Sequence, residues 1–190
     1  MDNKYKIILA SNSPRRKELL AGLDIAFEVV VKEGIDETYP ENLSSDEVPL
    51  YLSRLKAAAY RDTMTANELV LTADTVVVVD DMILGKPSNE ADAYRMLRLL
   101  SGRTHHVVTG VSLTTLEKQR NFNVTTEVTF RALSDAEINY YVERYKPFDK
   151  AGAYGIQEWI GYIGVTSLKG SYFNVMGLPV QRIYEELLKF

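Results

Sequence analysis

The chain has 190 residues, 46% of them hydrophobic, enough for one substantial core or two small lobes. Its net charge of −4 argues against a nucleic-acid or anionic-membrane binder, which needs a broad basic surface. With no cysteine, disulfides, thiolate metal sites and cysteine nucleophiles are excluded, and no apolar run approaches the roughly 20 residues of a membrane span.

Residues 5–10 read as a buried strand, too short for the apolar region of a signal peptide, so a soluble cytoplasmic protein is expected. The turn Ser11-Asn12-Ser13 opens a helix predicted over 14–22, with Ser13 as its cap, Pro14 at the first helical position and Gly22 as its stop. Arg15 and Arg16 then fall in the first turn, where the helix dipole is already positive. A bound anion would relieve that conflict. Backbone N–H groups, two hydroxyls and two guanidiniums would converge on one negative group, most simply a phosphate. An exposed basic helix start that binds nothing is the equal alternative. A second strand follows at 26–31. The polar loop 32–44 carries Glu33, Asp36, Glu37 and Glu41, carboxylates that suit a hard divalent cation or are simply solvated. A long helix is predicted from about 46 to 66, with Val48, Leu52, Leu55 and Ala59 at helical spacing and Pro49 tolerable only in the first turn. Lys56 lies beside an alanine run that lets a sheet or ligand come close, though a plain surface lysine has the same sequence.

Residues 69–79 form the strongest predicted strand, β-branched and apolar almost throughout, as in a central strand buried on both faces. Asp74 is its outlier. An unpaired buried carboxylate costs several kcal/mol, so Asp74 needs a partner, a metal, a raised pKa or a place facing a cleft. Residues 82–84 return beside this strand. Lys86 sits between Gly85 and Pro87 on a shaped loop. A helix at 90–101 stops at Gly102, and two long strands at 104–116 and 120–131 follow. His105 and His106 alternate at a strand start and read as structural or exposed. Ser134 to Glu137 is a capping-box pattern opening a helix to about 145. Gln157 lies in a Gly-rich stretch, 151–164, and could read a base edge with one donor and one acceptor. A short strand, a loop at 170–174 and a last helix at 179–189 complete an α/β chain with a mixed sheet and no strict βαβ alternation. No glycine-rich phosphate loop of a known type and no nucleophile elbow is present.

Seven segments in order resemble the Maf family of nucleotide pyrophosphatases over nearly the whole chain. They are Leu9-Ala10-Ser11-x-Ser13-Pro14-Arg15-Arg16-x-Glu18-Leu19-Leu20, Lys56-Ala57, Ala73-Asp74-Thr75-Val76-Val77 and Gly85-Lys86-Pro87. The others are Leu100-Ser101-Gly102-x-Thr104-His105, Asp149-Lys150-Ala151-Gly152-Ala153-Tyr154-Gly155-Ile156-Gln157, and Gly170-Ser171-Tyr172-x-Asn174-Val175-x-Gly177-Leu178-Pro179. The resemblance implies an elongated, twisted mixed sheet flanked by helices with a central cleft, similar to the inosine triphosphate pyrophosphatases, in one domain of two lobes over residues 1–190. It implies hydrolysis of a nucleoside triphosphate to the monophosphate and pyrophosphate with Mg²⁺ or Mn²⁺. The segment ending at Gln157 resembles the branch acting on dTTP and UTP rather than the one acting on 7-methyl-GTP. In that branch the positions matching Arg16, Thr75 and Gln157 go with substrate choice, and the one matching Asp74 is the proton acceptor.

Residues and resemblance together assign Asp74, Lys56 and Lys86 to catalysis. Ser11, Arg15, Arg16, Thr75 and Gln157 are assigned to substrate binding, and Glu37 with Asp74 to the metal. The expected partner is the nucleoside triphosphate, with neither nucleic acid nor membrane; homodimer formation stays open, because no apolar stripe is left over to mark an interface. Two rival functions stand beside this one: a pyrophosphatase for modified nucleotides, and a nucleotide-binding regulator of cell division that does not turn its ligand over.

Overall fold

The computed structural model describes residues 4–190. The first apolar run forms β1 (Lys6–Leu9). Ser13 caps α1 (Pro14–Ala21) by accepting the Arg16 N–H, with Pro14 at the start where its missing N–H costs nothing. The chain continues through β2 (Phe27–Val29), α2 (Glu47–Ala58), β3 (Glu68–Val79), β4 (Met82–Leu84), α3 (Glu90–Leu100), β5 (Thr104–Thr114) and β6 (Gln119–Phe130). It ends with α4 (Asp135–Tyr145), α5 (Trp159–Gly164), β7 (Val165–Lys169), α6 (Tyr172–Met176) and α7 (Val180–Leu187). Among the described residues the strands make one seven-stranded sheet in the order β2-β1-β3-β5-β6-β7, with β4 paired to β3. β1 is parallel to β2 and β3, with Ile7 opposite Phe27 and Leu69. β4 turns back antiparallel on β3, and β7 runs antiparallel to β6. The expected mixed α/β sheet is therefore present. No described helix is long and apolar enough to cross a membrane.

The chain divides into two units. The first comprises Met1–Asp74, Thr109–Val124 and Gly177–Phe190, and the second Thr75–Val108 and Thr125–Met176. In the first unit, Ile8, Tyr60 and Val70 form a buried cluster with Ala10, Ile35, Ala59 and Met64 against it. Here α2 lies unusually close to the sheet. A Cβ at Gly110 on β5 would stand 2.3 Å from the backbone of Pro49 and Leu50, so only glycine admits the approach. Ser53 Oγ meets Ser112 Oγ at 2.9 Å, and Thr72 Oγ1 donates to the Ser53 carbonyl at 2.7 Å. These short polar side chains fix α2 on β3 and β5 without holding it away.

The predicted long helix ends eight residues early, at Ala58. Tyr60 is buried, its hydroxyl donating to the Val30 carbonyl at 3.0 Å and accepting the Lys32 N–H at 2.9 Å. That anchoring turns the chain into a single 3₁₀ turn, Arg61–Thr63, before β3.

The second unit has an apolar cluster that includes Val77, Leu97, Phe130, Ile138, Tyr141, Tyr154 and Ile160. The capping box of Ser134 and Glu137 opens α4 as predicted. The Gly-rich stretch is more ordered than a plain loop: it contains a 3₁₀ turn, Ala151–Ala153, and then α5. Likewise the expected loop at 170–174 is helical from Tyr172, where α6 begins.

Candidate active site

β3 and α2 bring the first unit's acidic and basic groups together. Lys56 Nζ donates to Asp74 Oδ1 at 2.6 Å and meets Glu37 Oε2 at 2.9 Å. The Lys56 and Asp74 side chains are each only 14% exposed, against 53% for Glu37, so the inner pair is mostly screened from water and the outer carboxylate is not. Asp74 therefore has the partner that its place in an apolar strand demands. The close seating of α2 places that partner, because Ala57, beside Lys56, is fully buried.

Arg16 acts on the same strand from α1. Its Nε donates to the Gly177 carbonyl and its Nη1 to the Ala73 carbonyl, both at 2.8 Å. Burial lowers the pKa of this guanidinium from its ordinary value, an effect that the charge of Asp74 opposes. The side chain thus ties the residue preceding Asp74 to the segment that leads into α7. Ahead of α1, Ser11 Oγ accepts the Ser13 N–H at 3.2 Å, and Ser13 Oγ accepts the Arg16 N–H at 3.4 Å. Arg15, half-buried, occupies the first turn of α1.

The second unit carries the remaining predicted residues. Thr75 follows Asp74 on β3 and is half-buried. Lys86 is exposed just beyond β4. Gln157 is half-buried, and its Oε1 lies out of solvent with no hydrogen bond from any described residue. The Lys86 and Gln157 segments are joined through the backbone, the Gly152 N–H donating to the Gly85 carbonyl at 3.0 Å. Gly152 has φ of +67°, and a Cβ there would lie 2.8 Å from Val77 Cγ2, so glycine alone permits this junction.

Three residues without an assigned role, Lys150, Glu158 and Tyr141, hold the segment that carries Gln157. Lys150 Nζ contacts Asp149 Oδ1 at 2.8 Å and Glu158 Oε1 at 3.2 Å. Tyr141, in α4, donates its hydroxyl to Glu158 Oε2 and accepts the Gly155 N–H at 3.0 Å. Its phenol pKa is raised, first by burial and then by the hydrogen bond to Glu158. Lys150 stood inside a recognised segment and Glu158 directly follows Gln157. Tyr141 looks in the sequence like any core aromatic of an amphipathic helix. His105 is buried and shares a 2.7 Å hydrogen bond between Nε2 and the Tyr154 hydroxyl, and His106 is exposed, as the sequence suggested for the pair.

Glu37 and Asp74 offer hard oxygen donors that already converge on one ammonium. Among the described residues no group of three or more His, Asp and Glu gathers around a metal-sized space. Two carboxylates nevertheless suit a Mg²⁺-like ion, which characteristically takes one or two protein carboxylates and completes its shell with phosphate oxygens and water.

The family model described as Maf-like protein matches residues 6–190. A curated dTTP/UTP pyrophosphatase of Phocaeicola vulgatus is 64% identical over 186 residues, covering 98% of this chain and 96% of that protein. Another of the same name from Parabacteroides distasonis is 58% identical over 187 residues, covering 98% and 97%. Among solved structures, a HAM1 protein from Coxiella burnetii shares the fold with a TM-score of 0.51 at 12% identity, covering 98% of this chain and all of that one. With its sequence matched from β1 to the C-terminal residue, the chain belongs to the Maf family.

Proposed function

We propose that this protein hydrolyses dTTP and UTP to the nucleoside monophosphate and pyrophosphate. The observation that carries the reading is the group formed by Asp74, Lys56 and Glu37, in a chain 64% identical to a dTTP/UTP pyrophosphatase. The reaction adds water at the α-phosphorus and breaks its bond to the oxygen bridging to the β-phosphorus; that oxygen leaves with the pyrophosphate.

Asp74 accepts the proton from the attacking water. Lys56, hydrogen-bonded to it, holds the carboxylate in one orientation and adds positive charge near the reacting phosphate. Ser11 and Arg15 at the start of α1 bind the phosphates, whose charge suits a helix N-terminus and fixed cations; Lys86 is a cation carried by the second unit, with the phosphate role that the family resemblance implies. Glu37 and Asp74 would hold Mg²⁺ or Mn²⁺, which when bound supplies Lewis-acid neutralisation of phosphate charge. The buried Gln157 carboxamide oxygen has no donor among the described residues, which leaves an acceptor for the ring N–H that uracil and thymine carry and cytosine lacks. Thr75 adds a hydroxyl beside Asp74.

The test is pyrophosphate release from dTTP, UTP, CTP, GTP and 7-methyl-GTP, with Mg²⁺ and with chelator. Metal-dependent release from dTTP and UTP, with little from the guanosine compounds, is expected. Release from 7-methyl-GTP alone would overturn the substrate assignment. Binding without release from any nucleotide would overturn the catalytic reading in favour of a regulatory one.

A further inference from the structure

Resting on the reading of Gln157 as the base-recognition residue, we propose that Tyr141 is its positioning residue, setting nucleobase selectivity through the backbone of residues 155–158 without touching the nucleotide. The Glu158 N–H donates to the Gly155 carbonyl at 3.0 Å, closing a four-residue turn with Gln157 in its third position. No hydrogen bond from a described residue restrains the Gln157 carboxamide oxygen. The aim of that oxygen is therefore set by the turn that carries it.

Tyr141 controls both ends of the turn. One hydroxyl oxygen accepts the Gly155 N–H at 3.0 Å and donates its own proton to Glu158 Oε2. The tyrosine is fully buried in α4 and stacks on Tyr145 with ring centroids 5.0 Å apart, so the hydroxyl is itself held in place. Lys150 closes the other side of Glu158 at 3.2 Å. There is no slack in this packing: a Cβ at Gly155 would stand 3.1 Å from both Glu158 Cδ and Lys150 Cε. Phenylalanine at 141 would keep the ring in the core and leave the Gly155 N–H buried with no acceptor, a defect confined to the turn.

The experiment compares wild type, Tyr141→Phe and Glu158→Gln. It measures amide hydrogen exchange, thermal stability, and kcat and KM for UTP and CTP with Mg²⁺. In Tyr141→Phe the amides of residues 155–158 should exchange about tenfold faster or more, with wild-type rates in β1 and α3. The UTP-to-CTP ratio of kcat/KM should fall by about tenfold, mainly through KM. Glu158→Gln keeps an acceptor for the Tyr141 hydroxyl and should retain the wild-type ratio. Unchanged exchange at 155–158, or a loosened turn with the ratio intact, would overturn the proposal. So would exchange accelerated throughout with a fall in Tm, which marks a merely structural role. A ratio lost equally in Glu158→Gln would give the role to the ion pair with Lys150 and overturn it too. Wild type that releases no pyrophosphate defeats the pyrophosphatase reading separately, and the exchange rates still decide whether Tyr141 holds the turn.

Discussion

The charged group of the first unit and the turn around Gln157 in the second are built on opposite principles. In the first, the side chains themselves form the group and the backbone is only their support: Lys56 meets Asp74 and Glu37 head to head, and Arg16 is bonded to the strand that carries Asp74. In the second, the side chains of Tyr141, Lys150 and Glu158 are the support and the shaped object is a stretch of backbone. Charge chemistry tolerates an exposed carboxylate such as Glu37, because phosphate and metal arrive from solvent. A group that is to read a base must be aimed to within about 0.5 Å, which a buried support can supply. Substitutions in the first region should thus change rate, and those in the second should change preference.

The sharpest way to break this distinction is Asp74→Asn. The amide keeps an oxygen for Lys56 and cannot accept the proton from water. Turnover of dTTP and UTP should fall by about 10³-fold or more, with the Tm within a few degrees of wild type. Full activity would remove Asp74 from the mechanism. Lys56→Met comes next. It should lower kcat by roughly 10²-fold, and it takes from two carboxylates the ammonium that they share. Mn²⁺ binding to the nucleotide-free protein, followed by calorimetry, should therefore tighten by about tenfold. Unchanged Mn²⁺ affinity would count against Glu37 and Asp74 as the metal ligands.

Arg16→Lys sharpens the comparison from within the first region. A lysine cannot bridge two carbonyls in the planar geometry of a guanidinium. If Arg16 works by holding Ala73 and Gly177, kcat should fall by roughly tenfold with KM nearly unchanged. If it binds the nucleotide instead, KM should rise and carry most of the loss. The split between kcat and KM decides between positioning and the substrate contact implied by family resemblance.

The sequence revealed the chemistry of the first region more fully than that of the second. An acid amid the apolar residues of β3 declared itself, since burial forces such a group to find a partner. The identity of that partner was half legible: the alanines beside Lys56 announced a close approach, and Gly110, which completes it, lies more than fifty residues away. The commitment of Arg16 to two carbonyls was hidden, because carbonyls carry no residue signature. The helix end at Ala58 was hidden too; it depends on a hydroxyl of Tyr60 reaching the chain beyond β2. Tyr141 shows the same blindness. Nothing in a one-dimensional pattern reports where the hydroxyl at the end of a buried aromatic ring goes.

Acid should remove two stabilising contributions at different pH, one in each unit. In the second unit, burial lowers the pKa of His105 from 6.5 to about 4. Below pH 6.5 the unfolded chain takes up a proton that the folded one refuses, so this contribution is complete above pH 6.5 and disappears as pH falls towards 4. In the first unit, Glu186 is 1% exposed among Arg120, Arg182 and Lys189, and its hydrogen bonds, that from Lys189 first, hold its pKa at about 2 instead of 4.5. Its contribution is complete above pH 4.5 and lost between 4.5 and 2. Glu186→Gln should lower Tm at pH 7 by roughly 5 °C and converge on wild type near pH 2. His105→Gln keeps a neutral partner for the Tyr154 hydroxyl, and its Tm should lose the wild-type slope between pH 6.5 and 4. Thermal melts of both variants across pH 2 to 8 test the order. A His105→Gln profile parallel to wild type above pH 4 would show that the imidazole does not carry the acid dependence of stability in that range.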